Sequence, residues 1–130
     1  MFKKATLLAA LAAALAAAGG GAAWLRSGME SPEVLRKLAG LRVSLELYAM
    51  ERRGKPGAFG DTIQSGQLEG APDLKLPGHL PASSVRDVPA FSITDSGSWA
   101  YVNDKSSPRF GLLFIDCSHR DERGRYWSEF

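Results

Sequence analysis

Residues 5–25 carry no charged side chain, and this Ala/Leu run, headed by Met1-Phe2-Lys3-Lys4, constrains the chain more than any other feature. As a helix rising 1.5 Å per residue it reaches ~30 Å, the thickness of a bilayer core. A basic start followed by an apolar stretch is the layout of an export signal or an N-terminal anchor, with Lys3 and Lys4 holding the N-terminus in the cytoplasm. Gly19-Gly20-Gly21 should weaken the helix, and small residues at Ala16-Ala17-Ala18 and Gly21-Ala22-Ala23 suit cleavage after Ala18 or Ala23. Trp24 and Arg26 form an aromatic and charged boundary that suits a retained anchor. The expectation is a signal peptide or membrane anchor over 1–26 and an extracytoplasmic domain over 27–130. That domain is anchored at the inner membrane and lies in the periplasm, or is released there by cleavage.

The formal net charge is +2, from 16 Lys and Arg against 14 Asp and Glu. Lys3 and Lys4 account for the excess, so the part beyond the apolar run is balanced and gives a nucleic-acid partner no basic patch. With Cys117 as the single cysteine, no intrachain disulfide can form, and the domain must rely on its hydrophobic core.

Ser31-Pro32-Glu33 reads as a helix start, with Ser as N-cap, Pro in the first turn and an acid beside it. Val34, Leu38, Leu41, Leu45 and Tyr48 recur at helical spacing, Leu35, Leu47 and Met50 widen the face, and Arg52-Arg53-Gly54 closes a helix over 32–53. From Gly54 to Pro89, Pro and Gly break the pattern. A loop-rich layer is expected there, pinned by Phe59, Ile63, Leu68, Leu74, Leu76, Leu80 and Val85, with a short helical turn near 61–68. Ala90–Thr94, Trp99–Val102 and Gly111–Asp116 have strand texture, separated by the tight turn Asp95-Ser96-Gly97 and a longer loop. Tyr126, Trp127 and Phe130 should fold back to seal a sheet edge. The predicted fold is α+β: a hydrophobic N-terminal helix, then one amphipathic helix packed on a small antiparallel sheet of three to four strands.

Several short motifs carry a resemblance. An apolar helix precedes an amphipathic one ending Tyr48-x-x-Glu51-x-x-Gly54-Lys55-x-Gly57. A Pro-rich loop with Leu68 and Pro72 follows, then the hairpin Gly97-Ser98-Trp99-Ala100-Tyr101 with Gly111 to Cys117. In this layout the chain resembles type IV pilin-like proteins, and within them the pseudopilins of type II secretion. The resemblance implies a pilin-like fold and a non-enzymatic envelope component of a type II secretion or type IV pilus-like assembly. Its partners would be other envelope or secretion proteins and, through the N-terminal segment, the membrane. Phe2-Lys3-Lys4-Ala5-Thr6 lacks the Gly and Glu that flank the processing site in that family.

No phosphate loop, Ser/His/Asp set or paired inward carboxylates is present, so the sequence offers no catalytic or cofactor-binding residues. The polar run from Asp116 to Arg125 reads first as a solvated tail after the last strand, with Cys117 a half-buried structural thiol and no cofactor. Asp116, Cys117, His119 and Asp121 are its candidate ligands for zinc, but His79 is the one other histidine and no second cysteine completes a ligand pair. Asp95, Asp104, Asp116 and Asp121 offer oxygens to calcium, an ion that the pseudopilin resemblance also implies. The alternative function is therefore a small secreted metal-binding domain or thiol-dependent enzyme centred on Cys117 and His119. In an extended strand those two positions share a face.

Overall fold

The computed structural model describes residues 2–130; Met1 of the basic start lies outside them, as do the side chains of Phe2, Lys3 and Ala5. Helix α1, Phe2–Arg26, carries the apolar run and the three expected weak glycines without a break. Its leucines face solvent, and the stretch Thr6–Arg26 is long and apolar enough to cross a membrane or to serve as a signal sequence. The Ser27 hydroxyl donates to the Trp24 carbonyl at 2.5 Å and closes the helix, and residues 27–30 separate it from α2, Ser31–Arg52.

Helix α2 buries Val34, Leu38, Leu41 and Leu45, the stripe expected from their spacing. Leu47 and Met50 were expected to widen that face but point to solvent, because at 3.6 residues per turn both lie ~150° round the helix from the buried stripe. The N-cap is Glu30 rather than Ser31. Ser31 belongs to the helix, and both its amide and its hydroxyl donate to the Glu122 carboxylate, which supplies the acceptor and the negative charge that a helix N-terminus favours. At the other end Arg53 adopts a left-handed conformation (φ 55°), one residue before the glycine expected there.

The sheet is mixed, which corrects the antiparallel expectation. β1, Val85–Val88, runs parallel to β2, Ser98–Val102, and β2 is antiparallel to β3, Leu113–Asp116, in the order β1-β2-β3. Residues 90–94, expected as a strand, form the crossover between β1 and β2. The reason lies in the Asp116 carboxylate, which accepts the backbone amides of Thr94, Asp95 and Ser96 and leaves this segment little to pair with. The crossover covers the sheet's second face, where Ala100, Val102 and Phe114 pack with Val88, Ile93 and Leu112.

Trp99, Tyr101, Leu113 and Ile115 point from the other face into the main core, beneath α2. The 54–84 segment is anchored there by Phe59, Leu74 and Leu76, and the short helix α3, Gly60–Gln64, matches the expected turn. Ile63 and Leu80 stay exposed instead of pinning it. Trp99 Nε1 donates to the Pro72 carbonyl at 2.9 Å and the Tyr101 hydroxyl to the Pro56 carbonyl at 2.6 Å, so two core rings satisfy their polar tips on this loop. At the C-terminus Trp127 is fully buried and opens a 3-10 turn, Trp127–Glu129, against β3, with Phe130 packed beside it, while Tyr126, expected to fold back with them, stays exposed. Arg42 of α2 joins this corner by donating to the carbonyls of Leu113 and Phe130.

Candidate metal centre

Three chain segments meet at the end of β3. The first is residues 74–79, held down by the buried Leu74 and Leu76 and ending in His79. The second is the turn before β2, where Asp95 sits at φ 61°, a left-handed conformation uncommon outside glycine. Asp116 fixes it there through the Asp95 amide, and the Ser118 amide donates to Asp95 Oδ1 at 2.9 Å. The third is the exit from β3, carrying Cys117 and His119, with the His119 amide donating to Cys117 Sγ at 3.3 Å.

Here the side chains of His79, Asp95, Cys117 and His119 converge. His79 Nε2 is 3.1 Å from His119 Nδ1, 3.3 Å from Cys117 Sγ and 3.1 Å from Asp95 Oδ1. His119 Nδ1 is 3.3 Å from Cys117 Sγ and 3.4 Å from Asp95 Oδ1. The ligand atoms of all four residues lie within 4.8 Å of one another. Donors ~2.0–2.3 Å from a tetrahedral zinc ion stand ~3.3–3.7 Å apart, so these separations approach those of a zinc shell.

Hydrogen bonding alone explains the arrangement poorly. A neutral imidazole nitrogen, a thiol and a carboxylate bring at most three protons to the shared space, one from each ring and one from sulfur. Three protons must then be shared among five contacts, whereas a cation at the centre would take a lone pair from every donor together.

His79 and Cys117 are buried, while Asp95 and His119 form the exposed rim. Burial pushes the Cys117 thiol up to about 11, and the nearby Asp95 and Asp116 charges add to this against the opposing His119 amide. At neutral pH it is a protonated thiol, a poor nucleophile but a group that a metal ion would bind as thiolate. Burial also acts to raise Asp95, yet the Ser118 hydrogen bonds and the two imidazoles outweigh it and hold the carboxyl below its ordinary value. Gly97 makes room for His79: a Cβ there would sit 2.4 Å from the ring's Cγ, and its φ of 73° disfavours any side chain.

Of the four residues proposed from sequence, Cys117 and His119 join the cluster. Asp116 points away from it, accepting from the amides and hydroxyls of Thr94 and Ser96, and so positions Asp95. Asp121 accepts the Arg123 and Arg125 amides and the Arg125 guanidinium, shaping the loop that follows. Asp104, named for calcium, accepts from the amide and hydroxyl of Ser106 in an exposed turn. His79 and the pairing of Asp95 with it were not anticipated. A signal for Asp95 existed: extending the β2–β3 register, in which Ser98 faces Asp116, sets Asp95 opposite His119. No comparable signal marks His79, which lies 38 residues before Cys117. Comparison with known proteins returns no matching family model, no curated relative and no solved structure of similar fold.

Proposed function

We propose that this chain is a non-enzymatic envelope protein whose extracytoplasmic domain holds one zinc ion on His79, Asp95, Cys117 and His119, with α1 as its tether. The observation that carries this reading is the set of five donor separations between 3.1 and 3.4 Å. Two imidazoles and a thiolate favour a borderline transition ion, and one carboxylate oxygen is too few for calcium, which takes 6–8 oxygen ligands. Four protein donors fill a tetrahedral shell and leave no position for substrate, so the metal serves structure or retention rather than catalysis. The full chain, purified in detergent after growth with zinc, should carry one zinc per chain by elemental mass spectrometry. Asp104→Asn, in an exposed turn outside the cluster, should carry the same. A metal-free wild type after zinc loading would contradict the proposal.

The pseudopilin-like reading supplies the partner class. It draws support from element order, an exposed apolar helix followed by an amphipathic helix packed on a sheet. On that reading the zinc-bearing domain works by contact with other envelope or secretion proteins.

A further inference from the structure

The centre lies beside the joint between α1 and the domain, and the segments bearing its histidines also grip that joint. Residues 75–78 run across the end of α1 and the 27–30 connection. The Gly78 amide donates to the Leu25 carbonyl at 2.7 Å, and the Met29 amide donates to the Lys75 carbonyl at 2.8 Å. Lys75 Nζ donates to the carbonyls of Leu25 and Ser27 and lies 5.2 Å from the centre of the Trp24 ring. Gly28 is pressed against this strap, since a Cβ there would come within 2.4 Å of Pro77 Cδ. His79 follows directly. On the other side, the loop after His119 reaches the start of α2, where Glu122 accepts from the Ser31 amide and hydroxyl and Arg125 donates to the Ser31 hydroxyl.

We propose that metal binding locks the α1–α2 joint, so that the metal state of the centre sets whether the domain is held in a fixed direction on its N-terminal helix. This rests on the zinc-holding reading above. A strap that lifts from the linker carries His79 away from the other three donors, so the ion binds the docked joint and not the open one. Such a ligand makes the open state rarer by about the ratio of its free concentration to its Kd, hence ~100-fold at 100 times Kd. The coupling is reciprocal: a change that populates the open joint weakens zinc in proportion to the fraction of chains it leaves docked.

Hydrogen exchange by mass spectrometry on the full chain in detergent, with and without zinc, tests this, with zinc stoichiometry measured on the same samples. Zinc at 100 times Kd is expected to slow exchange in peptides covering 25–30 and 74–79 by up to ~100-fold. Gly28→Ala and the milder Lys75→Gln, which leave all four donors in place, are expected to weaken zinc measurably. Stoichiometric zinc with unchanged exchange in both peptides would overturn the lock while leaving the metal centre standing. Wild-type zinc affinity in a variant whose metal-free chain exchanges at 25–30 and 74–79 as an open joint would do the same. A chain that retains no zinc would overturn the centre itself, and the lock with it.

Discussion

Cys117→Ala will weaken zinc by more than the ~10–100-fold that loss of an outer-shell partner costs a metal site. The sulfur lies 3.3 Å from both imidazole nitrogens and is buried, so its removal strips the softest donor and leaves two nitrogens and one carboxylate oxygen. Two of the three remaining groups, Asp95 and His119, are on the exposed rim, where water competes for the ion. Titration against a chelator of known affinity reads the change directly. At free zinc 1,000 times Kd, the wild type also gains ~4 kcal/mol of stability from the ion, which the variant should lack. An affinity within a few-fold of wild type would show that Cys117 is a packing residue and not a ligand.

Trp127→Ala will cost ~3–5 kcal/mol, the range for truncating a buried aromatic side chain, out of a total stability of ~5–15 kcal/mol for a domain. Trp127 packs in the same core as Leu38, Leu41, Trp99 and Ile115, edge-to-face with Phe130 at 6.0 Å between ring centres. Its amide also donates to the His119 carbonyl at 3.3 Å, so the ring's packing holds down the loop that carries His119. Urea unfolding of the full chain, followed by the remaining tryptophans, measures the loss. A change below 1 kcal/mol would place the C-terminal turn outside the core.

The parts of the fold set by local periodicity were legible in the sequence. Val34, Leu38, Leu41 and Leu45 announce a buried helix face because their spacing follows the turn of the helix whatever surrounds it. Leu47 and Met50 do not belong to it, since the same period sets both ~150° away on the outer side of the helix, where they are exposed. The Ser31 cap was not legible because its hydroxyl is claimed by Glu122 from 91 residues away.

The sheet shows the same division. Trp99–Val102 and Leu113–Asp116 pair as an ordinary hairpin, within reach of local reasoning. Residues 90–94 resemble a strand in composition, but Asp116 captures the amides at the end of the segment, and Val85–Val88 takes the neighbouring place as a parallel strand. Parallel pairing is non-local, and a four-residue strand with Arg86 and Asp87 at its centre gives little pattern to read.

For the site, half of the four-residue cluster was visible because Cys117 and His119 are two residues apart. The other half was hidden because His79 and Asp95 arrive on separate loops. Chemical type alone also misled the choice among carboxylates: Asp116 and Asp121 are metal-ligand types by composition, yet backbone amides and Arg125 occupy their oxygens.

X-ray absorption at the zinc edge of the loaded full-length protein tests the central claim most directly. The account predicts a four-coordinate ion with one sulfur at ~2.3 Å, two imidazole nitrogens and one carboxylate oxygen at ~2.0–2.2 Å. A shell of oxygen and nitrogen without sulfur would contradict it.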